Sequence, residues 1–406
     1  MKKRVIAVFT GNRAEYGLQF PILRAINEHP DLEYRLIVSG AHLDRDFGRT
    51  LTEIQNDGFT IHAEVKIDMG EDTLYGTAQA IGSGVQSMGK ALAEIKPDML
   101  VVYADRFEGF AAVIAGTQMN VPTAHVEGGD LTEGGALDDS VRHAMSKLAH
   151  LHFTTNQQAS NRVMGMGEEA WRVHTVGFPA IDLIQDNIFA KPEELVEKYK
   201  LDLSRPVMVF TQHSVTTEFD KAVEQVRPVL EGLRKLGDEG VQILLTYPNN
   251  DAGGMRIIGE LEKFIATKPA NVQLHRSLGR YNYHGVLALA QHQNMRAVCA
   301  GNSSSGIKET PAFGCPAINV GSRQDGRLRA ANVIDAPYNA NVFVAAARKC
   351  LWDEEFRALC RRVENPYGIG DAGKKIADVL AKVPLDQALI RKRMTLLGEA
   401  KDGWFR

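Results

Sequence analysis

Short apolar runs alternate with helical patterns along most of the chain. The runs predict buried strands at residues 4–10, 34–39, 99–103, 123–126 and 151–155 and, further on, at 207–211, 242–246, 272–274 and 296–300. Between them, apolar residues repeat at helical spacing over 18–28, 73–95, 107–119 and 140–148, and again over 219–236, 255–265, 283–290 and 307–313. This alternation is typical of βαβ units, so we expect parallel sheets with helices on both faces.

The length and the pattern together predict two α/β domains. A chain of 406 residues exceeds one ordinary core. The strand–helix pattern restarts near residue 207, after a stretch at 178–206 with three X-Pro pairs that suits a linker. We therefore expect an N-terminal domain at 1–180, a second domain at 181–370 and a charged helical tail at 371–406 that could pack back on the first domain.

Composition excludes several classes of protein. The net charge is -3 and Lys and Arg are scattered, which argues against nucleic-acid or membrane-surface partners. No apolar stretch is long enough for a membrane span, and the run at 5–9 is too short for a signal peptide. The cysteines have no CxxC spacing and the histidines no HExxH pattern. We therefore expect a cytoplasmic protein with free thiols and no metal site.

Acidic residues cluster after two neighbouring predicted strands. Asp105 follows the third strand, Glu127 and Asp130 follow the fourth, and Asp138 comes shortly afterwards. The carboxyl ends of parallel strands face the crevice where open α/β sheets bind ligands. Several carboxylates around one substrate can hold different pKa values and divide proton removal from proton return. Solvated loop acids, with Asp138 as a helix cap, explain the segment equally well.

Two glycine-containing turns are candidate phosphate sites. Arg13 lies in the turn at 10–17, which lacks both the dinucleotide fingerprint and the P-loop spacing, so an ordinary strand-to-helix turn remains open. The turn at 301–309 offers a run of three serines, including Ser303 and Ser304, followed by Glu309. Serine N-capping with an acid one turn later is the alternative there. The serine run favours a phosphate site, with Glu309 on a ribose.

Three further polar loops lie in the second half, and the first two of them follow predicted strands. His213 could donate a proton or bind a phosphate, although a polar loop with a helix cap explains it as well. Asn249 lies in a Gly/Asn-rich loop. Arg323 lies in a loop with two arginines, which suits either a pyrophosphate clamp or solvated charge.

Together these motifs resemble the UDP-N-acetylglucosamine 2-epimerase family, and specifically its hydrolysing branch of sialic and legionaminic acid biosynthesis. The resemblance runs from about residue 4 to about residue 335. Its motifs are GNRAEYG, ADR, HVEGGDLTEGGALDDSVRHAMSKLAHLHF, QHSVTTE, NNDAGG, GNSSSGIKE and GSRQDGR. It implies a glycosyltransferase-B type fold, with two Rossmann-like domains facing a cleft for a UDP-sugar, and a homodimer or homotetramer.

The resemblance also implies a role for each matching residue. Some relatives have histidine where Glu127 stands and glutamate where Asp130 stands, so either acid could be the base. Some relatives have serine where Gly17 stands, so one hydroxyl contact of those relatives is absent in this chain. The acid/base carboxylates would be Asp105, Glu127 and Asp138, supported by Arg142, and His213 would be a further catalytic candidate. The residues near the sugar and the phosphates would be Arg13 and Arg106. UDP would be held by Ser303, Ser304, Glu309 and Arg323, together with His213, and the cleft would be lined by Asn249.

The implied reaction needs no cofactor. UDP would leave C1 as the C2 proton is removed, and hydration of the resulting 2-acetamidoglucal would give the free 2-epimeric sugar. The substrate would be UDP-GlcNAc or UDP-2,4-diacetamido-2,4,6-trideoxyglucose. A non-hydrolysing epimerase, a glycosyltransferase and a nucleotide-sugar-binding module remain alternatives. A pure binder of an anionic ligand would gain nothing from the carboxylates.

Overall fold

The chain forms two compact units that are discontinuous in sequence. The computed structural model describes residues 2–43, 51–68, 74–131, 137–248 and 253–396. Unit 1 lies within Met1–Asp130, Leu137–Leu183 and Tyr367–Arg406, and unit 2 lies within Leu131–Ala136 and Ile184–Pro366. The C-terminal helices therefore belong to the same unit as the first strand.

Each unit is built on a parallel sheet. In unit 1 the order is β3-β2-β1-β4-β5-β6-β7, and in unit 2 it is β10-β9-β8-β11-β12-β13. The strands are β1 (Arg4–Thr10), β2 (Leu32–Ser39), β3 (Ile61–Val65), β4 (Met99–Tyr103), β5 (Thr123–Val126), β6 (Leu151–Thr154), β7 (Val173–Thr175), β8 (Val207–Thr211), β9 (Gln242–Thr246), β10 (Val272–His275), β11 (Ala297–Gly301), β12 (Ala317–Val320) and β13 (Val333–Ala336).

Helices connect the strands. They are α1 (Arg13–Glu28), α2 (Leu51–Asn56), α3 (Leu74–Ile95), α4 (Phe107–Gln118), α5 (Leu137–Leu148), α6 (Gln157–Gly165), α7 (Ala180–Gln185), α8 (Pro192–Tyr199), α9 (Ala222–Asp238), α10 (Gly254–Ala266), α11 (Gly279–Ala288), α12 (Ser305–Lys308), α13 (Ala340–Trp352), α14 (Glu354–Cys360), α15 (Ala372–Lys382) and α16 (Gln387–Ile390). Among the residues described, no helix combines the length and apolarity that a membrane crossing would need.

The central strands divide their side chains between two buried layers. In β1, Ile6 and Val8 pack with residues of α1 and α15, whereas Ala7 and Phe9 pack with residues of α3 and α4. This follows from the two-residue period of a strand, which turns alternate side chains to opposite faces. Unit 2 repeats the arrangement around β8. A strand covered on both faces is apolar throughout, which is why the central strands are evident in the sequence.

The predicted α/β class is confirmed, and the strands missing from the sequence prediction have two causes. β3, β7 and β13 lie at sheet edges and are partly exposed, so they carry no continuous apolar run. β12 is buried, but Asn319 interrupts its apolar run. The Asn319 amide donates to Asp335 on β13 at 2.7 Å, so its polarity is used in strand pairing.

Both sheets reverse their strand order at one point. In unit 1 this switch point lies between β1 and β4, and in unit 2 between β8 and β11. The connections on its two sides leave toward opposite faces of the sheet, which opens a crevice at the carboxyl ends of the two strands. Each unit is therefore expected to present its functional residues there.

Gly301, at the end of β11, should be required for the close approach to β8. Its φ is +117°, and a Cβ there would collide with the Thr211 carbonyl oxygen. We expect Gly301→Ala to lower the free energy of unfolding by about 2 kcal/mol or more. Gly259, in α10, has open space around it. Gly259→Ala should instead stabilise by about 0.5–1 kcal/mol. Urea titrations of both variants would test this difference, and equal effects would contradict it.

Candidate active site

The chain turns sharply after β4 and after β5. Ala104 has φ 57° and Glu127 has φ 64°, the left-handed region that side chains other than glycine rarely occupy. Each residue still extends the sheet, because the Ala104 N–H donates to Val126 at 3.0 Å and the Glu127 N–H donates to Phe153 at 2.9 Å. Such conformations cost on the order of 1–3 kcal/mol and concentrate at functional sites. Asp105 directly follows the first of these turn residues, and Glu127 is the second.

A buried histidine joins these turns to α5. The His125 Nε2 lies 2.7 Å from the Ala104 carbonyl oxygen, and its Nδ1 lies 3.0 Å from Ser146 Oγ on α5. Burial lowers the pKa of His125 to about 3, so the ring is neutral at pH 7. A carbonyl only accepts, so Nε2 carries the proton and Nδ1 accepts from the serine hydroxyl. His125 thus fixes the turn that carries Asp105.

Asp105 is held by an arginine from α5. The Arg142 guanidinium donates to Asp105 Oδ2, and its Nη1 lies 3.9 Å from Asp139 on the same helix. Arg142 is buried, and the side chain of Asp105 is 18% exposed. A buried cation favours the ionised form of the carboxylate that it contacts. The structure therefore brings together two of the residues singled out in the sequence.

Arg106 lies among three further carboxylates. Its Nε is 3.3 Å from Glu108 Oε2, and half of its side chain is exposed. Burial acts to lower the pKa of Arg106, but Glu108, Glu15 and Asp138 outweigh it and raise the pKa above its ordinary value. Asp138 itself is exposed in the first turn of α5. Arg106 is thus the cation around which these acids gather.

Glu15, in the first turn of α1, was not singled out in the sequence. It is buried, and its carboxylate accepts from Gln19 Nε2 at 2.8 Å. Its backbone N–H donates to the side chain of Asn12, which caps α1. Burial, and next the charge of Glu108, raise the pKa of Glu15 to about 8. A first-turn acid is ordinary in a sequence. Only the fold shows that it is buried beside a second carboxyl.

Glu127 and Asp130 differ in their surroundings. Burial, and then the neighbouring Glu127 carboxylate, raise the pKa of Tyr103 well above its usual range. Asp130 is buried and accepts from Thr155 Oγ1 at 2.9 Å and from Asn156 Nδ2 at 3.3 Å. Asp130 therefore ties the loop after β5 to the loop after β6.

We call Glu15, Asp105, Glu108, Glu127 and Asp138 the acid cluster of unit 1.

In unit 2, one buried asparagine joins three loops. The Asn302 side chain accepts from the His213 N–H at 2.6 Å and donates to the His213 carbonyl at 2.8 Å. Its own carbonyl accepts from Arg323 Nη1 at 3.2 Å and from Gln324 Nε2 at 2.8 Å. Asn302 thus holds the loops after β8, β11 and β12 together at the switch point. Its role was not evident from the motif.

The serine run and Glu309 lie beside this asparagine in sequence. Ser303 and Ser304 are partly exposed, and the side chain of Ser304, the N-cap residue of α12, makes no capping hydrogen bond. Ser303 Oγ accepts from the Ser305 N–H at 3.4 Å, so the alternative of a serine cap stays open. Glu309 lies 2.7 Å from Nε2 of the buried His284. Asn249 lies outside the described residues, as does the side chain of Arg13, the first residue of α1.

Comparison with known proteins identifies the family. The family model described as UDP-N-acetylglucosamine 2-epimerase matches residues 24–381. The chain belongs to this family.

Curated relatives of this epimerase cover most of its length. The UDP-N,N'-diacetylbacillosamine 2-epimerase (hydrolyzing) of Legionella pneumophila is 30% identical over 96% of this chain and 98% of its own. The GDP/UDP-N,N'-diacetylbacillosamine 2-epimerase (hydrolyzing) of Campylobacter jejuni is 32% identical over 84% and 86%. The UDP-N-acetylglucosamine 2-epimerase of Neisseria meningitidis is 33% identical over 86% and 88%. The chain is thus a UDP-sugar 2-epimerase.

Solved structures confirm the predicted fold type. The UDP-GlcNAc 2-epimerase from Neisseria meningitidis, bound to UDP-GlcNAc, matches with a TM-score of 0.77 at 18% identity over 93% of this chain and all of that one. The Methanocaldococcus jannaschii enzyme, in complex with UDP-GlcNAc and UDP, matches with a TM-score of 0.69 at 18% identity over 93% and 99%. The epimerase is built from two Rossmann-like units of the glycosyltransferase-B type.

Glu15 should make the stability of unit 1 depend on pH. Between pH 4.5 and 8 the unfolded chain loses the Glu15 proton while the folded chain keeps it. Stability contributed by the protonated side chain therefore falls as pH rises through this window. Glu15→Gln has no proton to lose, so its stability relative to wild type should grow from pH 5 to pH 8 by at least about 1.4 kcal/mol, one pKa unit.

Urea unfolding at several pH values measures this difference. Glu28→Gln, an exposed change in the same helix, is the matched control and should show no such trend. A constant difference between Glu15→Gln and wild type across pH 5–8 would show that Glu15 is ionised in the folded protein.

Proposed function

We propose that this enzyme is a hydrolysing 2-epimerase that converts a UDP-N-acetylhexosamine into UDP and the free 2-epimeric sugar. The observation that carries the proposal is the acid cluster, in which Asp105 is fixed by Arg142 while Asp138 shares the surroundings of Arg106. Inversion at C2 needs one group to remove a proton and another to return it from the opposite face. Two relatives named as hydrolysing enzymes support the branch.

The first half of the proposed reaction is an elimination. A carboxylate takes the C2 proton, the C2–H electrons form the C1–C2 double bond, and UDP leaves with the electron pair of the C1–O bond. The C2 proton is weakly acidic, so it leaves in step with C1–O cleavage. Asp105 is the proposed base, because Arg142 fixes the position of its carboxylate just after β4. The product of this half is a 2-acetamidoglucal.

The second half is a hydration. Water adds its hydroxyl to C1 and a proton goes to C2, so the two halves together consume one water and release one UDP. Glu127 and Asp138 are the proposed partners of Asp105 in these proton transfers. Asp130, whose carboxylate accepts from Thr155 and Asn156, is the alternative to Glu127. Charge on the departing pyrophosphate needs donors and cations that are already in place.

We assign UDP binding to the loops of unit 2. His213 and Arg323 supply donors that Asn302 orients, and Ser303 and Ser304 supply hydroxyls near the same switch point. Glu309, held by His284, would accept from the ribose hydroxyls. This division gives unit 1 the proton chemistry and unit 2 the leaving group. Arg106, whose side chain is half exposed, is the proposed cation of unit 1 toward the sugar phosphate.

We also propose that the enzyme works in the cytoplasm. Cys299, Cys315, Cys350 and Cys360 are all buried and free. Burial raises the pKa of Cys299 and of Cys360 to about 12, so these thiols stay protonated and unreactive at pH 7. Free buried thiols fit a reducing compartment.

The product decides between the hydrolysing and the non-hydrolysing reaction. We expect UDP-GlcNAc or its 2,4-diacetamido-2,4,6-trideoxy analogue to give UDP and a free sugar with inverted C2. In D₂O the sugar should carry deuterium at C2, because the returned proton comes from an exchanged carboxylic acid. NMR of both incubations identifies the products. Accumulation of a UDP-linked epimer without free sugar would overturn the hydrolysing assignment.

The acid cluster should be required for turnover. We expect Asp105→Asn, Glu127→Gln and Asp138→Asn each to lower kcat by at least about a hundredfold, the usual scale for a lost general acid or base. Each change is nearly isosteric, so far-ultraviolet circular dichroism should be unchanged. Asp378→Asn, a surface change on α15 of the same unit, is the control and should keep full activity. Near-wild-type kcat in all three variants would refute the carboxylate mechanism.

A further inference from the structure

The C-terminal segment of unit 1 lies against the end of α5. We call residues 386–396 the strap. It contains α16, which Asp386 caps by accepting from two backbone N–H groups, and its residue Leu389 is buried in the core. The Thr395 N–H donates to the Gly167 carbonyl at 2.9 Å, beyond α6. The strap is thus bound at both ends.

A buried arginine fixes the first part of the strap. Arg172 is fully buried, and its guanidinium donates to the carbonyls of Leu389 at 2.8 Å and Ala388 at 2.6 Å. It also donates to the carbonyl of His150, just before β6, at 3.1 Å, and to Glu169 at 2.8 Å. A buried guanidinium is stable only when its donors are satisfied. The strap supplies several of the required acceptors.

Lys392 connects the strap to α5. Its Nζ donates to the Lys147 and Ala149 carbonyls, each at 2.6 Å, and lies 2.9 Å from Glu168 Oε2. α5 ends at Leu148, so these carbonyls belong to its last turn and the residue after it. The last carbonyls of a helix lack partners within the helix and carry partial negative charge. Lys392 therefore caps the C-terminal end of α5.

The Lys392 amine is charged at neutral pH. Burial lowers its pKa to about 8, and the Glu168 carboxylate opposes that shift. Glu168 is itself buried and also accepts from Lys147 and His152. The ammonium consequently has one anionic and two neutral acceptors, which satisfies its three donors.

α5 is tied at two other points to the turn that carries Asp105. Ser146 donates to His125, whose opposite nitrogen donates to the Ala104 carbonyl. Arg142, one turn earlier in α5, donates to Asp105 itself. A displacement of the C-terminal end of α5 would therefore pass directly to both contacts. The helix also carries Asp138, so the same displacement would move Asp138 relative to Asp105, and both belong to the acid cluster.

We propose that Lys392 is a positioning residue for the reaction: by capping α5 it keeps Arg142 on Asp105. This inference rests on the proposed function only for the role of Asp105 in proton transfer. A strap that merely added stability would leave the chemical step unchanged in a folded variant.

Steady-state kinetics of three variants test the inference. We expect Lys392→Met, which keeps the apolar stem but removes the donors, to lower kcat roughly tenfold, the scale of a small misplacement of catalytic groups. KM should stay within about twofold, because the proposed UDP contacts lie in unit 2. Lys392→Arg retains charge and donors and should recover most of kcat. Lys374→Met removes an exposed lysine from α15 and should match wild type.

A double-mutant cycle separates positioning from general stability. If Lys392 acts through Arg142, then Lys392→Met should lower kcat less than about twofold when Arg142→Lys is already present. Independent effects on stability would instead multiply. An unchanged kcat in Lys392→Met, or multiplying effects in the double variant, would overturn the inference.

Amide hydrogen exchange tests the same contact without the activity. In Lys392→Met the amides of residues 145–149 should exchange faster than in wild type, while those of β1 and β2 should not. If the wild-type protein turned over neither UDP-sugar, the proposed function would be refuted. The hydrogen-exchange measurement would still test whether Lys392 caps α5. Unchanged exchange at 145–149 would overturn that contact.

Discussion

The ion pair between Arg142 and Asp105 is the contact on which the candidate site of unit 1 depends. It joins α5 to the turn after β4, and Arg142 is almost fully buried. Removing a guanidinium from water is costly, and a well-placed carboxylate helps to offset that cost. The pair therefore specifies one position of α5 relative to the sheet. His125 reinforces that position through neutral hydrogen bonds that do not titrate near pH 7.

In unit 2 the corresponding position is held by a neutral side chain, that of Asn302. Asn302 joins loops from three strands through its side-chain amide and its backbone carbonyl. An amide offers donors and an acceptor in one rigid group, so it can satisfy two backbone partners at once. The groups proposed to bind UDP, Arg323 and the partly exposed serine hydroxyls, lie in the loops that Asn302 joins. The contrast fits the proposed division, in which unit 1 transfers protons and unit 2 binds the diphosphate.

The sequence predicted those elements whose burial requires a continuous run of apolar residues. Central strands such as β1 and β8 are covered on both faces and read as apolar runs, whereas the exposed edges β3 and β7 do not. Asp105, Glu127 and Asp138 were singled out because their motifs lie at or soon after predicted strand ends. Glu15, Glu108, His125 and Asn302 were missed, since their roles come from contacts between distant segments. The cap on α5 spans more than two hundred residues of sequence and leaves no local pattern.

The central claim is that a carboxylate of unit 1 removes the C2 proton while UDP departs. The most direct measurement is the rate of UDP release in a single turnover, compared between unlabelled substrate and substrate deuterated at C2. We predict slower release from the deuterated substrate in the wild-type enzyme, because C2–H cleavage and C1–O cleavage share one step. Equal rates for the two substrates, with chemistry limiting the turnover, would contradict it.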